Sequence, residues 1–187
     1  MNWESTIVSD LNSWGQKHVS LVEFVANKFV YIAIALGLLT FIYSEIKHST
    51  KPFWTTLNLR VTIAQGLLTV AFPVIIATVF SEIFSKLWDR QRPFAVNSEI
   101  KLLFPHANDG GFPSHHMVFT VALAVCVLSF HRNVGVIILI LAILSGIFRI
   151  VGGIHYPSDV VFGVLLGAVV PWLFAKFLTL IKVSTRR

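Results

Sequence analysis

"FPSHHMVFTVALAVCVLSF", residues 112–130, passes in one step from a proline and three polar residues into an almost wholly apolar run. The run over about 115–130 is read as a membrane-crossing helix, at the short end, like the one over 134–151, of the ~20 residues a span needs. Placing His115 and His116 at its threshold is costly. Ionisable residues at membrane depth are expensive and usually serve a function.

Comparable runs lie near 22–43, 59–80, 134–151 and 158–181, so five spans are expected. The chain has 187 residues, of which 55% are hydrophobic and 13% charged, more apolar than a soluble domain requires. The expected fold is all-α: a polytopic membrane helical bundle forming a single domain over residues 1–187. Residues 1–20 interleave Trp3, Ile7, Leu11 and Trp14 with polar residues at helical spacing, the pattern of an amphipathic segment lying at the interface. They lack the basic and apolar regions of a cleaved signal peptide. Pro73 and Pro171 can be accommodated within a bundle, and Gly163 with Gly167 allows close helix packing. Cys126 is the single cysteine, so no disulfide framework is possible. A net charge of +6 would suggest nucleic acid in a soluble chain. Here it points to bilayer orientation and an anionic ligand, with no nucleic-acid partner.

Five spans put Lys47, Lys51, Arg60, Arg132, Lys176, Lys182, Arg186 and Arg187 on one side of the membrane. Lys17, Lys28, Lys86, Arg90, Arg92, Lys101 and Arg149 fall on the other. Setting aside Lys86, Arg92 and Arg149 as site candidates makes the first group the cytoplasmic one, and the 81–114 loop then faces outward.

Three polar clusters share that outer face: "SKLWDRQRPF" at 85–94, "PSHH" at 113–116 and "FRIVGGIHYPSD" at 148–159. Several cations with few free carboxylates suit a multiply charged anion. Ser114 opens a helix whose unsatisfied N–H groups and positive dipole end favour phosphate, and arginine matches phosphate oxygens with several donors. His155 and Asp159 are four apart around Pro157, which opens the fifth helix. Asp159 can hold Nδ1–H of His155 and leave Nε2 as an oriented nucleophile. His116 can protonate a leaving oxygen. The carboxylates are not grouped as a magnesium site requires, so a route without metal or other cofactor, through a phosphohistidine, is expected. The plainer alternatives are a helix-start pair for His155 with Asp159 and an interfacial side chain for His116. Plainer readings are preferred elsewhere: His106 as a solvated loop residue, with a substrate contact as the alternative, Arg90 with Asp89 as a surface pair, Trp88 and Phe94 as interface anchors, and His18, His48 and His131 as interfacial.

These residues resemble the type 2 phosphatidic acid phosphatase (PAP2) superfamily, whose signature is K-x6-R-P, then P-S-G-H, then S-R-x5-H-x3-D. Arg92–Phe94, Pro113–His116 and Arg149–Asp159 match in order. The last piece agrees in both spacings. The resemblance implies His155 as nucleophile, Asp159 as its orienting partner and His116 as general acid. Arg92, Arg149 and Ser114 would cradle the phosphoryl group, with Lys86. His115 joins the phosphate-binding candidates on its position alone, and its plainer reading, a bystander whose backbone N–H matters more than its ring, is preferred. Three positions depart from the pattern. Lys86 is followed by five residues, not six, before Arg92, and a one-residue slip turns a helical side chain by about 100°; either the long lysine compensates or Arg90 takes its place. Phe148 replaces the family serine, with Ser145 one turn earlier as a substitute, and His115 occupies the glycine position. Within the superfamily the chain looks like bacterial undecaprenyl-diphosphatases of the bacitracin-resistance type. That likeness implies hydrolysis of undecaprenyl diphosphate at the outer face of a bacterial plasma membrane. The alternatives are a phosphatidylglycerophosphate or phosphatidic acid phosphatase, a lipid phosphotransferase, and, from another class, a non-catalytic lipid-phosphate binder or carrier.

Overall fold

The computed structural model describes residues 3–48, 64 and 66–184. Lys51, Arg60, Arg186 and Arg187 of the orientation argument lie outside the described residues. So do most of positions 59–65 of the second expected span and the side chains of His48 and Lys182.

Every regular element among the described residues is a helix. Helix α1 covers Trp3–Gly15 and α2 covers Val19–His48. A π-helical turn, Leu67–Ala71, runs directly into α3 at Phe72–Trp88, and Pro73 falls just after the change of pitch between them. A short helix α4, Pro93–Val96, precedes an irregular loop. Then follow α5 at His115–Leu128, α6 at Arg132–Val151 and α7 at Pro157–Ser184. Pro157 opens α7, and Pro171 lies inside it.

Four stretches are long and apolar enough to cross a membrane: Val19–Ser44, Leu68–Val96, Arg132–Val151 and Pro157–Leu180. Outward-facing Leu39, Ile75, Ile140, Leu165 and Leu173 give them lipid-facing surfaces. The remaining expected span differs in kind. Helix α5 has 14 residues, or about 21 Å of rise, short for a full span, yet it runs from the Ser114 end of the bundle to the opposite end, from which α6 returns. It is apolar all round because it is the hub of the bundle, packed against α2, α3, α6 and α7, with nine of its residues buried. Gly163 and Gly167 explain how α7 reaches it. A Cβ on Gly163 would meet Met117 Cβ at 2.7 Å, and one on Gly167 would meet Val118 O at 2.6 Å. Being short and central, α5 keeps its N-terminal Ser114 fully buried at one end of the bundle.

Helix α1 exposes Trp3, Ile7, Leu11 and Trp14, as an amphipathic interfacial helix would. Its inward face is more polar than its apolar spacing suggests: Glu4, Val8, Asn12 and Gly15 are buried against α6 and α7. Asn12 fills its hydrogen-bonding capacity there, donating to Lys101 O and Val151 O and accepting from Lys101 N–H and Gln16 Nε2. A buried amide so satisfied fixes where α1 sits.

Candidate active site

The end of the bundle that carries Ser114 also carries a cavity of roughly 360 Å3. Arg92, His106, His115, His116, Arg149 and His155 line it, with Glu82, Lys86, Asp89 and Asp109. The three sequence clusters therefore converge on one space.

Local backbone geometry brings them there. Asp89 ends α3 in the left-handed region, φ 34°, with its N–H on Ser85 O, and this turns the chain so that the following segment runs inward. Arg92 then donates to Ile154 O at 3.2 Å, to Gly110 O at 3.3 Å and, through Nη2, to Asp109 Oδ1 at 2.6 Å. At the far end of α6, Gly153 takes φ 77°, and a Cβ there would lie 2.8 Å from Ile100 Cγ2. Glycine tolerates both the angle and the space, and the turn delivers His155 into the interior, 2% exposed.

His155 Nδ1 lies 2.9 Å from Gly111 O. A carbonyl can only accept, so Nδ1 carries the proton and Nε2 keeps its lone pair. Asp159 does not make this bond, contrary to the expected pairing, for its Oδ2 is 3.7 Å away. Its carboxylate is already engaged, with Oδ2 accepting from Tyr156 N–H at 2.7 Å and Oδ1 from Arg90 at 2.6 Å. Burial holds the His155 imidazole well below the usual histidine range, and the charges of Arg149 and Arg92 push the same way. The ring is neutral at physiological pH.

Arg149 is 1% exposed. It donates to His106 Nε2 at 2.9 Å and to Asn27 Oδ1 at 3.4 Å. His106 is thus no solvated loop residue. It fixes its own tautomer by donating Nδ1–H to Ala107 O at 2.9 Å, so that Nε2 accepts from Arg149. Burial, then the charges of Arg92 and Arg149, keep it neutral by lowering its pKa. Its role could not be read from sequence, since position 106 lies 43 residues from its partner. Asn27, on α2, was missed for the same reason.

Two buried polar atoms near this cluster lack protein partners: Arg149 Nε and Ser114 Oγ. Ser114 N–H donates to Asp159 O at 3.1 Å, but its hydroxyl caps nothing and the residue does not line the cavity. Lys86 and His115 stand at the mouth. Lys86 pairs with Glu82 at 3.4 Å with its side chain 75% exposed, and His115 lies 3.7 Å from the same carboxylate. Asp109 is the counter-ion of Arg92. Burial works to raise its carboxyl, but the Arg92 hydrogen bond and charge prevail and hold it below the usual range.

Three other expectations change. Arg90 is not paired with Asp89: its guanidinium bridges Glu4 and Asp159, because the turn at Asp89 sends it into the bundle. Ser145 does not replace the family serine, since its hydroxyl donates to Ala26 O at 2.9 Å on the α2 side of α6. Phe94 packs into the core cluster containing Tyr156 and Val160, whereas Trp88 remains 67% exposed.

A family model described as the PAP2 superfamily matches residues 66–181. The "Bacitracin transport permease protein BcrC" of Bacillus licheniformis is 31% identical over 160 residues, 84% of this chain and 71% of that protein. The "Undecaprenyl-diphosphatase BcrC" of Bacillus subtilis is 31% identical over 104 residues, 56% of this chain and 53% of that protein. The chain therefore spans about half the length of the second relative. Among solved structures, Aquifex aeolicus LpxE superposes with a TM-score of 0.55 at 21% identity, covering 84% of this chain and 93% of LpxE. A PAP2 type phosphatidylglycerolphosphate phosphatase from Bacillus subtilis superposes at 0.58 and 19% identity, covering 95% of this chain and 87% of that one. Likeness at this level of identity concerns the fold.

Proposed function

Because the chain belongs to the PAP2 superfamily, we propose that this lipid phosphatase hydrolyses a lipid-linked diphosphate, foremost undecaprenyl diphosphate, to the lipid phosphate and inorganic phosphate. The observation that carries the mechanism is the fixed tautomer of His155, which leaves Nε2 as the free nitrogen of a buried, cavity-lining imidazole.

Nε2 attacks the terminal phosphorus in line. The bond to the bridging oxygen breaks, and its electron pair leaves with the lipid phosphate, which takes a proton from His116. The substrate's negative charge favours the protonated form of His116 as it binds. Water then gives a proton back to His116 and attacks the phosphohistidine. The N–P bond breaks and the lone pair returns to Nε2. Arg92 and Arg149 stabilise the equatorial oxygens throughout, with the free Nε–H of Arg149 as a ready donor. Ser114, buried outside the cavity lining, ties the start of α5 to α7 through its N–H on Asp159 O. Lys86 and His115, beside Glu82 at the mouth, meet the substrate on its way in.

The relative named as an undecaprenyl-diphosphatase supports this substrate. Another relative's name speaks of transport, but a carrier is expected to hold its ionisable residues near the membrane midplane, and here they gather at the helix ends. We place the whole chain, as one domain, in a bacterial plasma membrane with the cavity facing outward, on the charge asymmetry of its loops.

Purified protein given undecaprenyl diphosphate, phosphatidylglycerophosphate or phosphatidic acid, with EDTA present, tests the reading. Fastest phosphate release from the diphosphate, and none from a His155→Ala variant, is the expected result. Undiminished release by that variant overturns the phosphohistidine route, and faster release from a monoester overturns the substrate.

A further inference from the structure

Arg90 joins three parts of the chain that are far apart in sequence. Its Nη1 donates to Asp159 Oδ1 at 2.6 Å and to Ser158 Oγ at 2.6 Å, and its Nη2 donates to Glu4 Oε2 at 2.7 Å. The guanidinium also lies 4.2 Å from the centre of the Tyr156 ring. The other oxygen of Glu4 accepts Ser158 N–H at 2.9 Å, in the first turn of α7. Burial opposes the charge on Glu4, but its bonds to Ser158 and Arg90 prevail and hold its pKa below the usual range. Neither Glu4 nor Arg90 lines the cavity, and Glu4 lies outside the residues matched to the family.

We propose that Arg90, anchored by Glu4 of α1, is a positioning residue of this active site, holding and balancing the Asp159 carboxylate and through it setting the charge at His155. This rests on His155 being the nucleophile. The ring is faced by Arg92 from the start of α4, His106 from the loop, His116 from α5, Arg149 from α6 and Asp159 from α7, with Asp109 in the same cavity. The arginines disfavour a proton on the ring, whereas Asp159, 3.7 Å from Nδ1, favours one. Arg90 offsets that carboxylate. Removing one partner of a buried ion pair leaves the other uncompensated. Without Arg90, the buried Asp159–His155 pair takes up a proton more readily, whichever of the two carries it.

The test uses the full chain and a short-chain, water-soluble prenyl diphosphate, with kcat and KM measured across pH. Arg90→Gln is expected to move the acidic limb of kcat/KM upward by roughly one pH unit. Its kcat should fall roughly tenfold with KM little changed, since Arg90 does not touch substrate. Arg90→Lys, which keeps the charge, should restore the limb. Glu4→Gln should lower kcat alone, and add nothing in the Arg90→Gln background. A mere helix-capping role through Ser158 N–H would persist there. If Arg90→Gln does not fold, Arg90→Met, which keeps the stem without the charge, carries the limb comparison, and Arg90→Lys with and without Glu4→Gln carries the test of coupling. A wild-type limb in Arg90→Gln, or additive losses in the double variant, overturns the proposal. His155→Ala in the same assay separates the two ideas: its inactivity beside an unmoved Arg90→Gln limb overturns the positioning role alone, and its full activity overturns the nucleophile itself.

Discussion

Gly111 holds His155: the backbone carbonyl lies 2.9 Å from Nδ1, and the nearby carboxylate of Asp159 stands 3.7 Å off. A main-chain acceptor cannot be mutated away or titrated. The tautomer that leaves Nε2 free is therefore built into the fold of the 109–114 loop, where a Cβ on residue 111 would come within 3.2 Å of Arg90 O.

Asp159→Asn should consequently be a partial lesion. The carboxylate acts on His155 from a distance, and its loss is expected to cost roughly 10–100-fold in kcat, while His155→Ala falls to background. Equal losses in a steady-state assay would mean that Asp159, not Gly111, governs the imidazole.

The two neighbouring histidines should differ sharply. His116 lines the cavity as the proposed acid, whereas His115 leans on Glu82 at the mouth. His116→Ala is expected to reduce turnover about 100-fold or more, and His115→Gly to change it little. Comparable losses in kcat would contradict this division of labour.

His106 accepts the Arg149 hydrogen bond, so His106→Ala leaves a buried guanidinium N–H without its partner. Such a loss costs about 1–3 kcal/mol. It should appear as weaker inhibition by vanadate or inorganic phosphate, by about tenfold, with His106→Gln recovering part of it. Unchanged inhibition constants would remove His106 from the phosphate site.

Acid should unfold the protein partly through His155. The buried ring stays neutral far below its ordinary pKa, while the unfolded chain binds that proton below about pH 6.5. The stabilisation is complete above that pH and declines as pH falls, with a slope set by the difference in protons bound. His155→Asn removes one such proton, so its melting temperature should fall less steeply between pH 7 and pH 5. Parallel slopes in differential scanning calorimetry would show that His155 protonates equally in both states.

The chain by itself determined the class of fold and the chemistry on offer. Its recurring apolar runs leave helices as the economical way to satisfy the backbone in lipid. The short intervals Pro113–His116 and Arg149–Asp159 lie within single turns and helix ends, where spacing translates directly into proximity. The tertiary structure decided the rest. Glu4 meets Arg90 across 86 positions, His155 meets Gly111 across 44 and Arg149 meets His106 across 43. Such contacts depend on how whole helices dock, not on local periodicity. Helix α5 makes the same point: its apolar sequence suits a span or a buried core equally well, and only its place among four other helices made it the hub that buries Ser114 beside the cavity.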